Sequence, residues 1–200
     1  MLEGLDTINW ASLTHGHGEA TDVPGLLRSL LSENAEVRLE AIATLHGNIW
    51  HQGTVFPATA AAVPFLYELL TDPDVQDKAG IVSLLGCIAT GSGALEGAIA
   101  NDGEEMWRRI LGRRGRSLEE ALAEEAAAMN AVRRAVSAGL RHLLPYLGDV
   151  GNESLLAEAL GNYPEHVSWL LPAIDAALAS ESDEHIRQAF AESKARLTNG

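Results

Sequence analysis

One cysteine in 200 residues excludes an internal disulfide and points to a reducing compartment, taken as the cytoplasm. That residue, Cys87, sits in the apolar stretch "SLLGCIAT" and reads as a small buried hydrophobe. Aromatic residues make up only 5% of the chain, and β-branched ones are sparse beside Ala and Leu. That shortage argues against sheets and for an all-α protein. Long apolar runs are missing too: "ATAAAVPFL" is about nine residues, and a helix crossing a bilayer needs about 20. The N-terminal "MLEGLDTINW" has no basic stretch and carries Glu3 and Asp6, which argues against a secretory signal. No membrane association is expected.

Positive charge is also in short supply. Fourteen Lys and Arg face 28 Asp and Glu, for a net charge of -14. Phosphate backbones repel such a surface, so nucleic acid is disfavoured as a partner and a protein with a basic surface is favoured. Acidity of this degree also serves solubility alone. Signatures of catalysis are absent: there is no G-x-S-x-G and no HExxH. Gly91, Gly93 and Gly97 lack the Lys-Ser/Thr of a phosphate loop.

What the chain does have is 46% hydrophobic residues, enough for a globular core, and an internal repeat. "VPGLLRSLLSENAEVRLEAIATL" from Val23 aligns with "VPFLYELLTDPDVQDKAGIVSLL" from Val63 at an offset of 40. Pro24 meets Pro64, Leu30 meets Leu70, Arg38 meets Lys78 and Leu45 meets Leu85. Leu26, Leu27, Leu30 and Leu31 make one helical stripe; Val37, Ala41, Ile42 and Leu45 make the next. Polar turns separate them, with Ser32, Asp72 and Asp74 as candidate caps. Weaker copies follow around Pro145, Leu147 and Asp149, then around Pro172, Ile174 and Phe190. Leu118, Leu122, Ala126, Met129, Val132, Val136, Leu140 and Leu143 define one longer helix.

With its proline in the first helix and Asp-bearing turn, this pattern resembles HEAT-repeat proteins, and "NIWHQGTVFPATAAAVPFL" resembles a bacterial subgroup of them. The resemblance implies one domain over 1–200, a right-handed α-solenoid of stacked helical hairpins. Its repeats would fall near 22–48, 58–90, 118–162 and 164–197, with an insertion at 91–117 ahead of the long helix. A hairpin of this kind buries its apolar faces only by stacking on neighbours. Fold alone names no activity.

Two segments carry candidate contacts. In "HGNIWHQGTVFPAT", Gly47 and Asn48 read as helix-ending residues and Pro57 as a helix start. About seven residues of loop are then left between them. Trp50, His51 and Gln52 exceed what a corner needs and are candidate contacts for a partner or ligand. The plainer alternative has Trp50 and Phe56 folded under the edge and His51 bonded to a backbone carbonyl. A metal site is not expected and no cofactor is implied. Its only route is convergence of His15, His17, His46 and His51, with "HGHG" otherwise a glycine-rich turn before a helix at Asp22. The second segment is the basic cluster of Arg108, Arg109, Arg113, Arg114 and Arg116 beside Trp107. It would suit phosphate or an acidic partner, unless the flanking Glu104, Glu105, Glu119, Glu120, Glu124 and Glu125 neutralise it. The leading expectation is a non-enzymatic protein-binding module, whether scaffold, adaptor or regulator, one form being an acidic inhibitor of a basic partner. The alternative is an enzyme with a small-molecule or metal site around the Trp50/His51 loop and the N-terminal histidines.

Overall fold

The computed structural model describes residues 1–101, 103–148 and 151–199. Asp149, expected in the third turn, lies outside them. Ten α-helices account for most of the described chain: α1 (Val23–Ser29), α2 (Ala35–Ile49), α3 (Pro57–Thr71), α4 (Lys78–Ala89), α5 (Ala94–Ala100), α6 (Glu104–Gly112), α7 (Leu118–Gly139), α8 (Glu153–Gly161), α9 (Val167–Ser180) and α10 (Glu184–Asn199). Two short antiparallel hairpins interrupt them, β1–β2 (Thr14–His15 with Gly18–Glu19) and β3–β4 (Trp50–His51 with Thr54–Val55). The protein is all-α apart from these. None of the described helices is long and apolar enough to cross a membrane.

The helix starts follow local chemistry. Asn34 caps α2, its side-chain oxygen accepting from the Glu36 N–H at 2.9 Å. Ser117 and Glu120 bond reciprocally at the start of α7, satisfying two backbone donors that a helix start leaves open. The expected caps Ser32, Asp72 and Asp74 do not fill that role. Ser32 supports the turn by accepting from the Asn34 N–H, Asp72 ends α3, and α4 starts at Lys78, three residues later than the repeat register implies. The Pro-Asp-Val-Gln-Asp sequence holds that segment in turns, and Asp77 itself adopts a left-handed φ of 53°. Pro64 and Pro172 lie inside α3 and α9, and both are exposed. A proline on the wet side of a helix leaves its unpaired carbonyl partner to water.

Helices pack in alternation. α1 lies against α2 and α3, α2 against α4, and α3 against α4 and α7. α4 also meets α7 and α8, α8 meets α10, and α10 meets α9. One continuous core results, running from Leu5 and Trp10 through Leu45, Leu66, Leu85, Val136 and Leu160 to Phe190. The α3–α7 crossing is especially close. Gly139 lies flat against the Tyr67 ring, where any Cβ would overlap it, and the Tyr67 hydroxyl donates to the Val136 carbonyl at 3.1 Å.

Sequence and structure part in several details. The long stripe is not one α-helix: it turns 3-10 from Leu140 to Tyr146, where Pro145 denies the α pattern a donor. Ala126 is exposed, because the middle of α7 passes the edge of the core. Leu31 and Val37 are exposed as well, since the α1–α2 turn lifts them off the stripe. Residues 91–117 hold two helices, α5 and α6. They form a small separate cluster with the start of α7, built on Leu111, Leu118 and Ala121 with Trp107 packed against it. Cys87 is half-buried, and burial pushes its thiol up in pKa, away from the reactive thiolate.

Candidate functional site

The seven-residue loop expected after α2 is a β-hairpin. Gly47 and Asn48 do not end the helix; α2 runs on to Ile49. The buried Thr59 hydroxyl closes the exchange between helix and strand, accepting from the Phe56 N–H and donating to the Ile49 carbonyl. Gln52 and Gly53 form the tip with φ of 52° and 89°, the double left-handed geometry of a type I′ turn. Asn-Gly or Asp-Gly is the favoured pair there, so Gln52 keeps a long amide at some conformational cost.

A second hairpin stands beside it. "HGHG" is not a simple turn before α1 but the tip of β1–β2, and a shared network locks it to the end of α2. Asp22 accepts from Asn48 Nδ2 at 2.6 Å and from His15 Nε2 at 2.9 Å. The His15 Nδ1 accepts from the His17 N–H at 3.0 Å, which puts the ring's hydrogen on Nε2. The Gly16 N–H donates to the Asn48 carbonyl at 2.9 Å, so the tip lies directly on the helix end. A Cβ at Gly16 would come within 2.8 Å of the His51 Cβ. On its far side β4 joins a third segment, Val55 N–H donating to the Ser92 carbonyl and Ser92 N–H to the Gly53 carbonyl.

This edge brings His15, His17 and His51 together. The His17 and His51 rings meet edge to face with centroids 4.9 Å apart. His51 Nδ1 bonds the Gly47 carbonyl at 2.9 Å, leaving Nε2 as the open nitrogen. His46 stands apart from the trio, one turn before Trp50 and against its ring at 6.1 Å. Burial pulls the His46 pKa below its ordinary value, keeping the ring neutral. Trp50 is half-buried and packed on the core, and its indole N–H is buried without a partner. Gln52 and His17 are exposed. Among the described residues no three His, Cys, Asp or Glu are placed to hold a metal ion. Both nitrogens of His15 are already engaged.

The basic cluster belongs to a different part of the molecule. Arg108 bonds Glu119 at 2.8 Å and Glu104 at 3.0 Å, and Arg116 pairs with Glu124. The hydrogen bond between Arg108 and Glu119 raises the first pKa and lowers the second, both groups lying open to solvent. Glu125 bonds the Leu95 and Glu96 N–H groups at the start of α5. Trp107 is half-buried in the α5–α7 cluster, so its ring is not free to stack on a base. Arg109, Arg113 and Arg114 are exposed without an ion pair among the described residues.

Asp22, Asn48, Thr59 and Ser92 build the hairpin edge, and no sequence motif marks them as a set. Their one legible signal was Asp22 before a helical stripe. The chain matches no protein-family model and no curated protein sequence.

Proposed function

We propose that this chain is a non-catalytic binding module, a HEAT-like solenoid of helical hairpins that engages the basic surface of another protein. The alternating packing supports the solenoid reading: α1, α3 and α7 succeed one another along one side, and α2, α4, α8 and α10 along the other. The observation that carries the function is the charge of the first half of the chain. The first hundred residues hold twelve carboxylates and only three Lys or Arg. Of those three, Arg28 is paired with Asp6 and Arg38 with Asp77. The surface left over is acidic, and it steers a basic partner while repelling nucleic acid. A scaffold, an adaptor or an inhibitor covering a basic site all use such a surface.

The test is capture from native lysate at rising salt, with wild type and a charge-reversed variant (Glu33, Glu36, Glu40 and Asp74 to Lys). Wild type should hold a basic partner that salt releases, and the variant should lose it. Equal capture by the variant refutes the reading. So does turnover of a small molecule by purified protein that captures nothing.

A second reading, an enzyme at the hairpin edge, rests on one contact, the meeting of the His17 and His51 rings. His51→Ala would abolish any such activity while leaving the fold intact.

A further inference from the structure

Large hydrophobic side chains are exposed at only five described positions: Met1, Leu31, Val37, Leu39 and Met106. Three of these, Met1, Leu31 and Leu39, line two adjoining cavities of about 300 and 200 Å³. The cavities share Leu30, Arg38 and Gln76, so they form one groove between the α1–α2 turn and the α3–α4 turn. This corner is distinct from the hairpin edge and shares no residue with it.

The groove has an apolar floor and an acidic rim. Leu30 and Ile81 are buried in its floor, while Leu39 is 59% exposed, the most open leucine in the described chain. Glu33, Asp74 and Asp77 stand around it. Arg38 is the one Lys or Arg that lines either cavity, and it is turned inward. Its guanidinium bonds Asp77 Oδ2 at 2.7 Å and the Ser32 and Glu33 carbonyls at 2.7 and 3.0 Å. Among the described residues Glu33 and Asp74 have no ion-pair partner, and they stand over a surface that keeps leucine in water.

We infer that this groove is where the basic partner docks, as an amphipathic segment. Two aliphatic side chains of the segment fill the cavities, and its Lys or Arg side chains lie on Glu33 and Asp74. The inference rests on the binding-module reading and sharpens it to one surface and one partner chemistry. The groove lies open between two turns, with Leu31 and Leu39 exposed along it, whereas a cofactor site encloses most of its ligand. A second copy of this chain is a poor occupant, because its own charge of -14 meets the same acidic rim. Anionic lipid is repelled for the same reason. A basic amphipathic helix in a groove meets both requirements at once.

The probe is a synthetic helical peptide of leucine and lysine with all leucines on one face, titrated into the isotope-labelled full chain and followed by amide shifts. Shifts should gather at Leu30, Leu31, Leu39 and Gln76. Leu31→Ser with Leu39→Ser should weaken binding about tenfold or more, the worth of a desolvated leucine anchor. Both leucines are exposed, so the variant should keep the wild-type circular dichroism and melting point. Glu33→Lys with Asp74→Lys should weaken binding at low salt and flatten its salt dependence. Three results overturn the groove: shifts centred on the His17–Gln52 edge, wild-type affinity in either variant, or a dimer of the chain closed over Leu31 and Leu39. The module reading fails separately. If the Leu31/Leu39 variant still captures the basic partner from lysate, the groove falls and the module stands. If lysate yields no partner but the peptide seats as described, the groove stands alone.

Discussion

Arg38 ties the first two helical hairpins together, and replacing it measures how strongly. Its side chain is 7% exposed and donates to the Asp77 carboxylate and to the carbonyls of Ser32 and Glu33. Hydrogen bonds from a charged donor contribute about 1.5–3 kcal/mol each when sheltered. Here the accepting carbonyls lie at the surface and water replaces part of that, so about 1 kcal/mol each is a fair figure. Asp77 is half-exposed, and after solvent screening the ion pair adds about 0.5–1 kcal/mol. Arg38→Ala, which also removes the buried stem, should therefore cost about 3 kcal/mol, whereas Asp77→Asn should cost under about 1 kcal/mol because asparagine tolerates the left-handed φ. For a domain of this size that is about 6–12 °C of Tm against about 2–4 °C. Scanning calorimetry on the two variants and on Arg38→Met, which keeps the stem, separates packing from hydrogen bonding. If Arg38→Ala shifts Tm no more than Asp77→Asn, the carbonyl bonds carry nothing and the account is wrong.

Three further outcomes follow from close contacts. Gly139→Ala should lower stability by about 1–3 kcal/mol by driving Tyr67 off α7, and a neutral result in urea unfolding would mean the crossing has slack. Glu125→Ala should leave the start of α5 uncapped, costing about 1 kcal/mol locally and speeding hydrogen exchange in α5 while α3 and α4 stay protected. His46 is held neutral, its folded pKa lying below the ordinary 6.5, so the unfolded chain binds the proton more readily. Its contribution is full above pH 6.5 and is lost as pH falls from there through the folded pKa. His46→Gln should flatten that slope in melts taken between pH 7 and 5, and an unchanged slope would place the effect elsewhere.

Helix formation was legible because its cause is local. Leucines at helical spacing and prolines near helix starts act within a turn or two, whatever the rest of the chain does. The 40-residue pattern shared by Val23–Leu45 and Val63–Leu85 did not fix the helix bounds: α3 starts six residues ahead of that register and α4 three behind it. The neutralisation of Arg108 and Arg116 was also within reach, since their acidic partners are close in sequence.

The hairpins were not legible in this way. "IWHQGTV" reads as loop because Trp50–Val55 is too short to show alternation, and its pairing draws on Ser92, nearly forty residues away. Gly47 and Asn48 look like helix-ending residues, but Asp22 holds Asn48 inside the helix through a side-chain bond formed only when the N-terminal hairpin folds back. The meeting of His17 with His51 depends on that same fold-back. The groove was legible only in part: Leu39 falls outside the α2 stripe, but Leu31 carries the same apolar signal as Leu27, and only packing leaves it in water. Sequence by itself determined that this chain is helical and acidic, because periodicity and charge are properties of neighbours along the chain. Tertiary structure alone decided which histidines touch, which arginines are neutralised across hairpins and which leucines remain in water, because those contacts form between segments that meet only in the folded state.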